Sequence, residues 1–470
     1  MNKKEVEKTL DGLLSTLEQN FKYDYGKKIP YEHIFELMSD IEKVFQIYID
    51  MDEAKCSSEI RKRYIPLLRL LITIDNNYTR LPQYQNMLKE AYRLSARHNF
   101  ESFLMYFEWD NKDKLYETRY SILKSYAYYL NKMVFDSNFE TLIVNLPSGY
   151  GKSRLVRLYE AFTFGVKPHA TFLALCSNDD LIRGQSRSVI DIIKSEKFGE
   201  VFPKMKYEKE KDREYFLKST DAEWRLFSCQ AISSYYAKST QSNVVGVRVN
   251  DASVDIDDLY SDFQEALNPQ LNKYYFNKFI TVWRERHNTN ETYKSVITGT
   301  LWASGDFIDL AIQWCEKQSK FVKDPKFKYT RISENGKAVI IQVPALDYET
   351  GESTCPEIIS TEELLIKKNS IDPYLFNTNY LQLPQSPDGL EFSYEKLKTY
   401  DVMPVMEGKY TKAVIDGTRK GGDYFSMPIL QPYGEDWALI DCIFTKQATS
   451  ELIDDIIGVR YPYPSVACYP

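Results

Sequence analysis

The sequence predicts an α/β protein, on three observations. Apolar residues recur at helix spacing from Glu5 to about Arg97, short apolar runs alternate with helical stretches from about Glu101 onward, and a Gly-Lys-Ser triplet sits directly behind one of those runs. In the first region Leu10, Leu13, Leu14, Leu17 and Phe21, then Ile34, Leu37, Met38, Ile41, Val44, Phe45 and Tyr48, mark one apolar helical face. It reads as a helical scaffold or docking surface and carries no nameable chemistry. In the second, candidate strands are Glu140 to Leu146, Thr171 to Cys176, Trp224 to Cys229, Ala252 to Asp257 and Tyr293 to Thr298. Strands alternating with helices in this way signal a mainly parallel sheet with crossover helices. Lys337 to Val343 reads as a further strand, Thr361 to Lys368 as a helix, and Pro373 to Pro384 as irregular chain. The expected division is 1–97 helical, 98–345 sheet and helix, 346–392 linker or subdomain, and 393–470 a C-terminal region.

Composition narrows the class. At 470 residues the chain can hold two or three domains with cores of their own. No stretch approaches the ~18 uncharged apolar residues of a membrane helix, and Met1-Asn-Lys-Lys leads into an amphipathic pattern instead of a signal peptide's apolar core. A cytoplasmic protein without a membrane partner is the expectation. The seven cysteines are scattered with no C-x-x-C pair, and the four histidines are far apart, so neither a disulfide framework nor a thiolate zinc site is suggested. A net charge of -7 means that any nucleic-acid surface must be local.

"LPSGYGKS", Leu146 to Ser153, follows the apolar run Leu142, Ile143, Val144 and nearly matches G-x-x-x-x-G-K-[ST], with Leu146 where the pattern opens on glycine. In such a loop consecutive backbone N–H groups curl around phosphates, and the next helix adds its positive end. Gly149 and Gly151 allow the backbone its close approach, Lys152 neutralises the β/γ charge, and the Ser153 hydroxyl takes a position on Mg2+. Pro147, Ser148, Gly149, Tyr150, Gly151, Lys152, Ser153 and Arg154 are therefore the candidate nucleotide-binding residues, with Arg154 to Phe164 continuing as a helix. The bland alternative is a strand-turn-helix connection with a solvated lysine. "ASVDIDDLYSD" supplies the acidic strand end that such a site requires: Asp257 to hold Mg2+ through water and Asp258 to polarise the attacking water. Asp255 interrupts that strand and would be costly if buried unpaired, so a polar acidic loop stays open. "SVITGTLW" then ends an apolar strand in Thr298, Gly299 and Thr300, whose hydroxyls can sense a γ-phosphate. In this order the three pieces suit a P-loop NTPase core that hydrolyses ATP.

Loop, acidic strand end and hydroxyl-rich strand together resemble the ATPase domain of the large terminase subunits of tailed double-stranded DNA bacteriophages, over roughly the last three quarters of the chain. That family often writes the loop as P-P-R-G-x-G-K-S, also without the first glycine. Further matches are "SNDDLIRGQSRSVIDIIKS", "TGTLWASGDF" where the family often has T-R-W-x-x-x-D, and "CPEIISTEEL" with "NYLQLPQSPDGLEF". Two departures stand out: Ser148 where many members carry a loop arginine, and Leu301 where the coupling motif usually has arginine. The charge-stabilising arginine must come from elsewhere. Arg183, Arg187 and Arg248 are candidates for it, from a neighbouring subunit or otherwise, and each also reads as a surface or DNA-contacting arginine.

The third region, from about Tyr394, reads as strands in "YTKAVIDGTRKGGDYFSMPILQP" and "DWALIDCIF". The resemblance implies a partial ribonuclease-H-like nuclease domain here, in which Asp416 matches the first carboxylate for a divalent metal (Mg2+ or Mn2+) and Asp423 a frequent aspartate of less certain role. Asp416 also reads as a strand-end turn residue. The chain ends at Pro470, before the family's remaining metal carboxylates, so this polypeptide is expected not to cleave DNA by itself. By resemblance the partners are double-stranded DNA, a portal protein and a small terminase subunit, with a homo-oligomeric ring on assembly and a monomer in isolation both open. The place is the host cytoplasm, transiently on the procapsid and not in the mature virion. A helicase-like DNA-dependent ATPase and a scaffold with a degenerate nucleotide site are the alternatives.

Overall fold

A computed structural model describes residues 8–9, 11–16, 39–40, 54–74, 81–205, 216–287, 293–383, 411–415, 425–433, 436–445 and 466–468. The chain divides into two compact units, Met1–Pro387 and Asp388–Pro470. In the first, the strands are β1 (Thr141–Asn145), β2 (Phe172–Cys176), β3 (Phe216–Ser219), β4 (Glu223–Leu226), β5 (Tyr235–Ser239), β6 (Val254–Asp257), β7 (Ser295–Gly299), β8 (Phe321–Lys323), β9 (Thr330–Ser333) and β10 (Ala338–Gln342).

 These ten strands form one sheet, and it carries the loop, the acidic strand end and the hydroxyl-rich strand.

The strand order is β3-β4-β5-β2-β6-β7-β1-β10-β9-β8. From β5 to β10 neighbouring strands run parallel, and an antiparallel pair closes each edge. β1, β2 and β7 are buried along their whole length, as strands covered by helices on both faces must be. The α/β class and the mostly parallel sheet are thus those expected from the alternating pattern.

Two local expectations differ. Trp224 to Cys229 was expected to be a strand of the parallel series, but β4 pairs antiparallel to β5, and β5 itself takes the parallel place beside β2. The stacked pair Trp224 and Tyr235, 4.9 Å between ring centroids, joins the two strands. Pro373–Asn379 is a helix where irregular chain was expected. Asp372 caps it by accepting from the Tyr374 N–H, and Pro373 occupies the first turn, where a missing N–H does no harm.

Of the N-terminal pattern, residues 11–16 are helical with Leu14 buried, and Ala54–Glu59, Ile65–Ile74 and Leu81–Ala96 are helices. Phe21, Ile34, Leu37, Met38, Ile41, Val44, Phe45 and Tyr48 lie outside the described residues. In the C-terminal unit β11 (Thr411–Ala413), β12 (Phe425–Tyr433), β13 (Asp436–Thr445) and β14 (Val466–Cys468) form a sheet in the order β13-β12-β11-β14. β11 to β13 are an antiparallel meander, and β14 lies parallel on the free side of β11. Asp416 and Asp423 lie outside the described residues.

Asp255, the residue that breaks the apolar run of β6, is buried at 2% exposure beside Glu160, also at 2%. Ser253 Oγ donates to Asp255 Oδ1, the Tyr159 hydroxyl bonds Ser253, and the Tyr235 hydroxyl donates to Glu160. Asp255 Oδ2 is buried and has no hydrogen-bond partner among the described residues. Burial raises the Asp255 carboxyl to about 7 and the Glu160 carboxyl well above its usual range. The folded chain therefore holds protons that the unfolded chain releases near pH ~4. The stability this gives is full below that pH and is lost as pH rises through about 7. Melting temperature measured against pH is expected to fall between pH ~5 and ~7, and the slope should become shallower in the Glu160→Gln, Asp255→Asn double variant.

Candidate functional site

The loop after β1 turns on two glycines. Gly149 has φ +81 and Gly151 φ +103, a left-handed backbone that costs other L-residues about 1–2 kcal/mol. Gly151 is the N-cap of the helix Lys152–Val166, so the loop ends where that helix presents its unpaired N–H groups. A Cβ at Gly151 would also meet Leu115 Cδ2 at 3.0 Å, whereas one at Gly149 would meet nothing within 4 Å.

Lys152 is the buried cation of this arrangement, 5% exposed. Its Nζ donates to Leu146 O at 2.7 Å, Pro147 O at 3.2 Å and Thr300 Oγ1 at 3.2 Å. Burial lowers its pKa, while the Asp258 and Asp257 carboxylates act the other way. Asp258 lies at the end of β6 with φ +47, an uncommon conformation for a residue with a Cβ. Its backbone ties three strand ends together: its N–H donates to Thr298 O, and its carbonyl accepts from the Ser177 N–H, each at 3.2 Å. Burial and the neighbouring Asp257 raise its carboxyl to about 6, against Lys152 and Arg157.

Asp257 is buried and held on both oxygens. Thr298 Oγ1 donates to Oδ1 at 2.6 Å and Gln185 Nε2 to Oδ2 at 3.0 Å. Thr298 and Thr300 therefore part company: the first orients Asp257, and the second accepts from Lys152. Asp306, in "TGTLWASGDF", caps the helix Phe307–Gln318 and accepts from the Trp302, Ala303 and Asp309 N–H groups, which fixes the turn after β7.

A cavity of about 640 Å³ opens at the carboxyl ends of these strands. Ser148, Gly149, Gly151, Lys152, Ser153, Arg154, Asp258 and Thr300 line it, with Arg119, Ser177, Asn178 and Tyr380. Its charged lining is Arg119, Lys152 and Arg154 against the single carboxylate of Asp258, a balance that suits a polyphosphate. Pro147 and Tyr150 are buried beneath the loop. Of the two residues expected to serve Mg2+, Ser153 lines the cavity, whereas Asp257 does not and keeps both oxygens on Thr298 and Gln185. Among the described residues no group of three or more His, Cys, Asp and Glu could hold a metal.

The arginines proposed from sequence are not in this cavity. Arg187 pairs with Asp221 at 2.9 Å on the exposed side of the helix Asp179–Lys194, and Arg183 is exposed on the same helix. Arg248 is exposed, and its carbonyl accepts from Thr171 Oγ1 just ahead of β2, at the opposite end of the sheet. Arg119 and Gln185 are what sequence reasoning missed. Gln185 lay inside a quoted motif without a role, and Arg119 lay in no motif.

No protein-family model matches the chain, and no curated protein matches it. Among solved structures, the HK97 bacteriophage large terminase is similar to it at 12% sequence identity, over 71% of this chain and 65% of that one, with a TM-score of 0.38. The match spans less than two thirds of that terminase's length. Among the described residues no helix is long and apolar enough to cross a membrane.

The two loop glycines should respond unequally to alanine. Gly149→Ala is expected to cost about 1–2 kcal/mol of backbone strain, and Gly151→Ala more, because of the added Leu115 contact. Denaturant unfolding of both variants checks this order, and equal losses would contradict it.

Proposed function

We propose that this chain is a Mg2+-dependent ATPase subunit that drives double-stranded DNA, in the manner of the large terminase subunits its motifs resemble. The observation that carries the hydrolase part is the meeting of Lys152, Ser153 and Asp258 in one cavity at the N-terminus of a helix and the carboxyl ends of parallel strands. Ligands of open α/β sheets bind at that end.

In this reading the loop N–H groups and Lys152 bind the phosphates, and Lys152 leaves the Leu146 and Pro147 carbonyls to do so. Asp258 orients a water whose oxygen attacks the γ-phosphorus. The bond from that phosphorus to the β–γ bridging oxygen breaks, ADP leaves with the electron pair, and the water's proton ends on inorganic phosphate. Ser153 and Asp257 would hold Mg2+, which when bound offsets the phosphate charge. Thr298 and Thr300 face the two halves of the site, Asp257 and Lys152, so a change at the phosphates reaches the β7 segment. Motion of DNA, a ring of subunits, a portal protein, a small terminase subunit and a transient place on a procapsid in the host cytoplasm follow from the sequence resemblance. The nuclease that it also implies rests on Asp416 and Asp423.

Steady-state ATP hydrolysis with Mg2+ tests the reading. Lys152→Ala and Asp258→Asn are each expected to lower kcat by about 10²-fold or more. Linear duplex DNA should raise the wild-type rate, with an effect that weakens steeply as salt rises. Turnover that survives both substitutions would overturn the site.

A further inference from the structure

We propose that Arg119 binds the phosphate chain of the nucleotide held by its own chain. This rests on the hydrolase reading above. Arg119 lines the cavity together with Gly149, Gly151 and Lys152, and its Nη1 donates to Gly149 O at 2.8 Å. A guanidinium has five N–H donors in a rigid fork matched to phosphate. Among the described residues this side chain makes one hydrogen bond and no ion pair, and its charge acts at longer range on the buried carboxyl of Glu108.

The backbone around Arg119 is fixed before any ligand arrives. Arg119 ends the short helix Leu115–Thr118, with its N–H on Leu115 O, and its carbonyl accepts from the Ile122 and Leu123 N–H groups of the helix Tyr120–Phe135. Glu108, 3% exposed, accepts from the Tyr116 N–H at 2.8 Å and so anchors that short helix. A side chain carried on so fixed a segment is placed at little entropic cost to binding. Arg119 lines the cavity of its own chain together with Arg154, whereas Arg183, Arg187 and Arg248 do not line it.

The test uses the full chain with Mg2+ and either ADP alone or ADP with aluminium fluoride, a mimic of the phosphoryl group in transfer. Arg119→Ala is expected to weaken the aluminium fluoride complex at least tenfold more than the ADP complex and to lower kcat by about 10²–10³-fold, with the ligand-free melting temperature held. Arg119→Lys should keep the bond to Gly149 O and restore only part of either loss, which provides the reading if the alanine variant does not fold. Equal mixing of Arg119→Ala with Lys152→Ala should give no activity beyond the sum of the two. Recovery on mixing would assign Arg119 to a neighbour's site and overturn the proposal. So would wild-type binding and turnover in Arg119→Ala or in Arg119→Lys. A wild type that binds neither ligand would remove the hydrolase reading and this assignment together, whereas an indifferent Arg119→Ala in a binding wild type removes this assignment alone.

Discussion

A lysine ammonium buried at the end of a parallel sheet is the constraint around which the rest is arranged. A buried charge is costly unless it is paired and hydrogen-bonded. Lys152 meets that demand with two loop carbonyls, the Thr300 hydroxyl and the nearby carboxylates of Asp257 and Asp258. The partners come from the ends of three strands, so the position of the ammonium relates β1, β6 and β7. The carbonyls it occupies are replaceable by phosphate oxygens, which carry the charge that carbonyls lack.

The strand order gives this cluster its connectivity. β7 lies between β1 and β6, so the hydroxyl-rich strand separates the loop strand from the acidic strand. Thr298 reaches one neighbour through Asp257, and Thr300 reaches the other through Lys152. Gln185 adds the helix after β2 to the same carboxylate. One buried aspartate thereby connects two strands and a helix, and its two oxygens are oriented before any ligand is bound.

Much of this was legible in the sequence, for physical reasons. The runs at β1, β2 and β7 are apolar because those strands are buried along their whole length, and glycine at 149 and 151 betrays the left-handed turns. What was not legible depends on distant parts of the chain. β5 carries Lys238 in a short aromatic run, and its place beside β2 is set by the packing of Trp224 on Tyr235. Asp255 looked like an interruption because the Glu160 carboxyl that acts on it comes from the distant helix Lys152–Val166. Arg119 precedes the loop by a whole helix and joins it only through Gly149 O. Pro373 to Pro384 reads as irregular chain, although Asp372 before Pro373 makes the pair a helix start.

The most direct measurement is a crystal structure of the chain with Mg2+ and a non-hydrolysable ATP analogue. The account predicts the phosphate chain at the N-terminus of the helix Lys152–Val166, with Lys152 Nζ moved from the Leu146 and Pro147 carbonyls onto phosphate oxygens. An analogue bound elsewhere, or bound here with Lys152 still on those carbonyls, would contradict it.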